Sequence, residues 1–445
     1  MTFVRTIPTL LLTLLLLSGC KKQEVAQPNN EPAEAPAPAA AAEPTPDDAE
    51  VVAAIEAAGG VTVKKKGENI VELDLRGLFP DAAEDQADEF AWVAGLPKLQ
   101  KILARGPGVT LEAVEKLKAH PELKVIGFDN CTQVGDEAVA VLVTLPKLAD
   151  VDLIKSEITD ESLKTLAGCD TIRQIRIART KVTDAGIKSL EAAKQLELLD
   201  LLECSLLTNE CATSVGKLTK MRNVRLPNAV DDSGLAQLTD LNNLVALGLQ
   251  YCRVGPEGIK HLVGLKELKE INLYGASKVD DEVIPLLAQL PKLQKVRARE
   301  TSIRGENAAA FADMKALRDL DLSESPVQDA VFEHLAKLPN LENLNLWNTE
   351  ATEEGIAQLK GMTQLKQLNL DNLGDAISDD CLDTIATMTN LELLHLGGTG
   401  VTDEGMPKLY GLKKLKRLFI TRTYVIEKST VEALKQELPQ AKIEW

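Results

Sequence analysis

From residue 99 onward the apolar positions follow one pattern, L-x-x-L-x-L, which returns every 23 to 26 residues. It runs through Leu123/Ile126/Phe128, Leu148/Val151/Leu153, Ile172/Ile175/Ile177, Leu196/Leu199/Leu201 and Met221/Val224/Leu226. It continues through Leu244/Leu247/Leu249, Leu268/Ile271/Leu273, Leu293/Val296/Ala298, Leu317/Leu320/Leu322 and Leu341/Leu344/Leu346. Leu365/Leu368/Leu370, Leu391/Leu394/Leu396 and Leu415/Leu418/Ile420 end the series, and Leu99/Ile102/Ala104 is a weaker first copy. Inside each copy the period changes. The alternating stretch predicts a short strand with one buried face, and about ten residues later pairs such as Ile187/Leu190 and Ile356/Leu359 have helical spacing. One such unit cannot bury its apolar face alone, whereas stacked copies share one continuous core. The expected fold is therefore α/β, a curved solenoid with parallel strands on its concave face and helices on its convex face.

The ends depart from the pattern. Residues 49–98 read as an N-terminal cap, with a helix at 49–58 and a hairpin of Val61–Val63 and Ile70–Leu75 around Lys66-Gly67-Glu68-Asn69. Residues 99–445 form the repeat domain, and Leu438–Trp445 reads as a truncated last strand with Trp445 covering the core.

A second motif repeats in step with the first. Thr402-Asp403-Glu404-Gly405 has counterparts in Thr159-Asp160-Glu161, Thr183-Asp184-Ala185-Gly186, Thr352-Glu353-Glu354-Gly355, Ser378-Asp379-Asp380 and Asp280-Asp281-Glu282. Each stands between a strand turn and an apolar helical run. The hydroxyl is placed to accept from the first free helix N–H groups, and the carboxylates suit the positive end of the helix dipole. A row of calcium sites along one edge is the competing reading. Copies one repeat apart lie in a line and do not converge on one centre.

The combined unit, L-x-x-L-x-L-x-x-[TC]-x-[VI]-T-D-x-G-[ILM]-x-x-L, resembles the leucine-rich repeats of the cysteine-containing and ribonuclease-inhibitor-like classes. Leu391–Met406 is the clearest match, and the resemblance covers about residues 70–445. Lipid-anchored versions are similar to a large bacterial family common in planctomycetes. The resemblance implies a protein-interaction scaffold and carries over no catalytic residue.

Residues 1–19 read as a signal peptide, with Arg5 in a short basic segment and an apolar run at 9–17 too short for a comfortable membrane span. Leu17-Ser18-Gly19-Cys20 resembles a bacterial lipobox, so Cys20 is the candidate lipidated residue. Several acyl chains would give stable membrane anchoring. An ordinary secretory signal that ends in Cys is the alternative. Lys21 favours the outer membrane, since an inner-membrane retention signal would put Asp there. Residues 20–48, rich in Pro, Ala and Glu, read as a disordered tether with an upper reach of roughly 80 Å.

Composition narrows the function. Asp and Glu number 67 against 50 Lys and Arg, a net charge of −17, which disfavours nucleic acid as a partner. Six cysteines remain besides Cys20. Cys131, Cys204 and Cys252 fall where other copies carry Ser156, Thr180, Thr301, Ser325, Thr349 or Thr399, which reads as an internal ladder of small residues. Cys169 aligns with Leu145, Leu290 and Leu338, Cys211 with Ile187 and Met406, and Cys381 with Gly405. These positions read as buried free thiols, with disulfides or a metal as the alternative. There is no paired Cys-x-x-Cys, His-Glu-x-x-His, Gly-x-Ser-x-Gly or Walker-type loop. No enzyme activity, cofactor or metal is expected.

Outward-facing strand positions are the default binding site of such a fold. The aromatic content is only 3%, yet Tyr251, Tyr274 and Trp347 fall on or beside this face with Lys295, Arg297 and Arg299 between them. With Gln250, Asp321, Asn345, Asn369 and Asp371 they form the candidate site for a protein or peptide partner, in residue types common at binding hot spots. The competing reading is a solvated sheet with cross-strand charge pairs such as Arg297 beside Asp321. A passive envelope spacer and a glycan binder are the alternative functions.

Overall fold

The computed structural model describes residues 45–78, 85–424 and 426–445. The expected signal peptide, Cys20 and the expected tether up to residue 44 lie outside the described residues. Residues 45–445 form one compact unit. Asp47 already accepts a bond from the Ile70 N–H at 2.6 Å, and the Asp48 carboxylate accepts from the Glu50 N–H at 2.9 Å, capping the helix Ala49–Ala57. The fold thus takes in residues 45–48, which composition alone had assigned to the tether.

Among the described residues seventeen strands build one sheet. β1 (Thr62–Lys66) and β2 (Asn69–Asp74) form an antiparallel hairpin. Next come β3 (Lys101–Arg105), β4 (Val125–Asp129), β5 (Asp150–Asp152), β6 (Gln174–Arg176), β7 (Leu198–Asp200) and β8 (Asn223–Arg225). Then follow β9 (Ala246–Gly248), β10 (Glu270–Asn272), β11 (Lys295–Arg297), β12 (Asp319–Asp321) and β13 (Asn343–Asn345). The last are β14 (Gln367–Asn369), β15 (Leu393–His395), β16 (Arg417–Phe419) and β17 (Lys442–Glu444). From β2 to β17 each strand pairs in parallel with the next, in unbroken register. This is the leucine-rich-repeat solenoid that the periodicity predicts. Because β2 joins the parallel sheet, Ile70/Leu73/Leu75 is itself a copy of the repeat, and the sheet runs unbroken across residue 98.

The repeat leucines fill the interior. Leu391, Leu394 and Leu396 are each fully buried, as are their equivalents along the chain. Each such side chain contributes about 1.5–3 kcal/mol on leaving water. After most strands comes a bend residue in the left-handed region, for example Lys155, Tyr251, Glu300 and Asn348. Their N–H groups bond the next repeat, Tyr251 to the Tyr274 carbonyl at 2.7 Å and Asn348 to the Asp371 carbonyl at 3.0 Å. The bend carries the inter-repeat ladder past the end of the sheet, which offsets the cost of a positive φ in a residue with a side chain.

The convex layer is made of short pieces. Asp160–Ala167 is an α-helix of two turns, while Lys260–Gly264, Ala308–Asp313 and Met406–Gly411 are 3-10 helices. Thr159, Thr183 and Thr402 accept from the amides of Glu161, Ala185 and Glu404 at 3.2–3.4 Å, the capping expected of them.

Two details differ from the sequence reading. Trp445 is 53% exposed and does not cover the core. It follows Ile443 at an inward position, but among the described residues nothing stacks on β17; Val431, Leu434 and Leu438, in and just after the helix Lys428–Glu437, cover the core there. Cys211 aligns with Gly186 and not with Ile187, because Thr208 is clasped by Asp184 as Thr183 is by Asp160. All six described cysteines are free. The small-residue ladder is present: Thr180 donates to the Ile177 carbonyl at 2.7 Å and Cys204 to the same oxygen at 3.1 Å.

Candidate functional site

Each three-residue strand turns its middle residue inward and its two outer residues to the concave face. The last strand position carries Asp152, Asp200, Asn272, Asp321, Asn345, Asn369 and His395, and these polar side chains have a local task. Asn272 Oδ1 accepts from the Tyr274 N–H at 3.1 Å, Asn345 Oδ1 from the Trp347 N–H at 3.2 Å, and Asn369 Oδ1 from the Asp371 N–H at 2.9 Å. Asp152, Asp200 and Asp321 make the same turn to Ile154, Leu202 and Ser323. This side chain-to-backbone bond selects Asp or Asn at the strand end. At Asp152, Asp321 and the asparagines only the second oxygen or the amide NH2 remains for a ligand, whereas Asp200 gives its second oxygen to Arg225.

The aromatic and basic residues of the candidate site come together as a continuous ribbon. The Tyr251 and Tyr274 rings lie 4.8 Å apart, and Tyr251 covers Gly275, where a Cβ would collide with its ring. The Arg299 guanidinium sits 5.0 Å from the Tyr274 ring centre and 4.7 Å from that of Trp347. It spans a whole repeat because the intervening Ser323 is small and fully buried, its hydroxyl donating to Asp321 at 2.6 Å. Glu324 fixes Arg299 from the side at 2.5 Å. Stacking of this kind holds large, half-exposed side chains in place before any partner arrives, so little side-chain entropy is lost on binding.

Arg297 and Asp321 are register neighbours on β11 and β12, yet they form no ion pair. The Asp321 carboxylate is turned toward Ser323, and the exposed Arg297 side chain bonds nothing among the described residues. The cross-strand pair forms two residues earlier, between Lys295 and Asp319 at 2.8 Å. Asp371 holds Arg422 from two repeats away at 2.8 Å, which binds it at the edge of the face and away from the ribbon.

Beside the ribbon the sheet sinks into a hollow of about 280 Å³, whose lining includes Ala246, Gly248, Gln250, Lys295 and Arg297. It exists because β9 presents Ala246 and Gly248, the smallest outward pair of the sheet's central strands. Arg225 folds over Gly248 and pairs with the buried Asp200, while Arg176 pairs with Asp150 at 2.5 Å. The Gln250 carbonyl oxygen is buried there without a hydrogen-bond partner. Of the residues singled out from the sequence, Gln250, Lys295 and Arg297 therefore line the hollow, and Tyr251, Tyr274, Arg299 and Trp347 form the ribbon. Asn345, Asn369 and Asp321 belong to a second hollow on later strands. Arg176, Asp200, Arg225 and the Ala246/Gly248 floor were missed as site residues. Two consecutive outward positions without a large side chain were the signal for that floor.

Comparison with known proteins agrees with the fold. A leucine-rich-repeat family model matches residues 387–409. Among solved structures, an internalin from Listeria monocytogenes superposes with a TM-score of 0.54 at 22% identity, covering 76% of this chain and 88% of that one. A leucine-rich-repeat protein from Leptospira interrogans gives a TM-score of 0.50 at 19% identity, covering 80% of this chain and 92% of that one. No curated protein matches the chain by sequence.

Proposed function

We propose that this chain is a lipid-anchored, extracytoplasmic interaction scaffold of the bacterial lipoprotein type, without catalytic activity, that binds a protein or peptide partner on its concave face. Cys20 is the anchor, residues 21–44 the spacer, and the outer membrane the site of attachment. The observation that carries the reading is the Tyr251–Tyr274–Arg299–Trp347 ribbon. A chain with only 3% aromatic residues places three of them, with an arginine, on one exposed strip of a rigid sheet. Trp, Tyr and Arg dominate measured binding hot spots, and a pre-stacked cluster presents them at low entropic cost. The partner is expected to lay an apolar or aromatic segment on the ribbon and to extend toward the Ala246/Gly248 hollow, where Arg297 and the Gln250 carbonyl are unpaired.

Proximity labelling from the full chain in its native cell, beside the Arg299→Ala/Trp347→Ala variant, tests the proposal. A partner labelled by the wild type and lost with the variant, at unchanged melting temperature, supports it. A labelling pattern identical for the two chains leaves the scaffold a passive spacer.

A further inference from the structure

From β12 to β16 the concave face forms a second hollow, of about 470 Å³, in which no lysine or arginine is among the lining residues. Three of its side chains come from adjacent strands in register: Asn345, Asn369 and His395. Each spends its acceptor atom on its own turn. The amides of Trp347 and Asp371 bond the Asn oxygens, and the Gly397 amide bonds His395 Nδ1 at 3.2 Å. That bond fixes the remaining atoms as donors: Nδ2 of each asparagine and the Nε2–H of the imidazole, the tautomer that follows from an accepting Nδ1. None of these three donors has a partner among the described residues.

The result is a row of N–H donors spaced by the strand separation, about 4.8 Å. The row is uncharged, since burial holds His395 below its ordinary pKa. Asp319 and Asp321 stand at one end of it, and Asp321 keeps a carboxylate oxygen free of the turn. At the other end His395 and Phe419 stack at 4.6 Å, nearly parallel, so the stack closes the hollow with a flat ring.

This arrangement discriminates between ligands. An anion would meet the Asp321 carboxylate and no basic side chain in the lining, Asp319 being paired with Lys295 from the neighbouring strand. An extended peptide running along the solenoid repeats its same-side carbonyls about every 6.7 Å, out of step with donors at about 4.8 Å. A ligand with closely spaced oxygens fits better, if it accepts from the amides and donates hydroxyl protons to Asp321. Its apolar C–H faces would meet the His395/Phe419 wall. We propose that this hollow is a subsite for a neutral oligosaccharide lying across β13–β15, held by Asn345, Asn369 and His395. The site is distinct from the Tyr251–Trp347 ribbon and does not depend on that ribbon binding a peptide.

The test is calorimetric titration of the purified chain with linear tetrasaccharides of glucose, N-acetylglucosamine, mannose and galactose, and with tetragalacturonate as an acidic control. At least one neutral tetrasaccharide is expected to bind and the acidic one not to. Asn345→Asp and Asn369→Asp keep the turn acceptor but remove the donor, and Asp already fills this turn position at 152, 200 and 321. Each should weaken saccharide binding by about tenfold or more, roughly 1.4 kcal/mol, at unchanged melting temperature. Failure of every neutral tetrasaccharide to bind overturns the proposal. So does equal binding by the two variants, or binding of tetragalacturonate as tight as that of the neutral sugars. Partner labelling lost with Arg299→Ala/Trp347→Ala but retained by Asn369→Asp would keep the two sites separate.

Discussion

The Asp379 carboxylate clasps Thr402 of the following repeat by two bonds, taking the Thr402 N–H on Oδ1 at 2.9 Å and its hydroxyl on Oδ2 at 2.6 Å. The same pair joins Asp136 to Thr159, Asp160 to Thr183, Asp184 to Thr208 and Asp329 to Thr352. The acidic residue of the Thr-Asp-x-Gly motif therefore faces forward along the solenoid. Its main task is to tie one repeat to the next, and any gain from the helix dipole comes in addition. Each threonine is held by the aspartate before it, and the oxygens of Thr159, Thr183, Thr208 and Thr402 also accept from the amide that opens the helix, whereas Thr352 turns to Glu354 and makes no such cap.

Removing one clasp leaves a threonine N–H and hydroxyl without partners at a repeat junction. Asp379→Ala is expected to cost about 1.5–3 kcal/mol, the range for hydrogen bonds to a charged acceptor. In a repeat array the loss is local, because stability is a sum over repeats and their interfaces. Amide hydrogen exchange should accelerate at Thr402 and over Met406–Gly411, with little change at β5–β7. Uniform acceleration along the chain would contradict a junction-specific role.

The clasps also set an acid response. Burial raises the Asp136 pKa, but hydrogen bonds from Ser162 and Thr159 outweigh it and hold the carboxyl below its ordinary 3.8. A carboxyl whose folded pKa is depressed contributes stability above the unfolded pKa and loses it as pH falls through the folded one. Stability should therefore decline below about pH 4. Asp136→Asn should reduce this dependence, because Asn209 fills the same place in the chain and still accepts from the Asp231 amide at 3.1 Å. Identical acid-denaturation curves for the two proteins would remove Asp136 from the account.

Five of the six described cysteines are buried, and burial pushes the thiols of Cys131, Cys211, Cys252 and Cys381 up to about 12. In a Cys20→Ser variant, a neutral maleimide should label Cys169 in the native state and the other five only after unfolding. Complete labelling of the denatured, unreduced protein is expected, since all six are free. Mass spectrometry after trypsin digestion reads out each site.

The repeat, the sheet register and the capping threonines were legible because each rests on a pattern that a single repeat displays: alternation for Leu391/Leu394/Leu396, a hydroxyl ahead of an apolar run for Thr402. What stayed hidden lies between repeats. The Asp379–Thr402 clasp pairs residues 23 apart, so no local spacing reveals it. The reach of Arg299 to Trp347 depends on Ser323 being small a full repeat away. The Asp/Asn row looked like a ligand face by alternation, while half of each side chain serves its own turn. Arg297 and Asp321 show the limit of register alone: neighbouring positions do not pair when one side chain has a closer donor.

The glycine of the motif follows from the clasp, and this yields the most demanding prediction. A Cβ on Gly186 would collide with Asp160 Oδ1, and one on Gly258, Gly355 or Gly405 with Asp232, Asp329 or Asp379. The chain carries its own control. Where the aspartate position of the preceding repeat holds Pro256 or Gly305 and no carboxylate projects, the glycine position holds Val283 or Val331, both fully buried. After Asp136 and Asp184, whose carboxylates project, the position holds the small residues Ser162 and Cys211; after Asp281 it holds Asn307, which is exposed and lies outside the packed helix. Gly186→Ala should therefore destabilise strongly, by about 1–3 kcal/mol as an overpacked site. Asp160→Ala alone should cost about 1.5–3 kcal/mol for the lost clasp. The double variant should cost less than the sum of the two, because alanine at 186 no longer meets a carboxylate. A Leu163 methyl lies 3.0 Å from the added Cβ and can yield by rotation, so it does not reproduce the clash. Urea titration of the four proteins in a double-mutant cycle gives the coupling, expected at about 1 kcal/mol or more in the compensating direction. Additive costs would mean that the glycine is kept for its backbone and not for the neighbouring carboxylate.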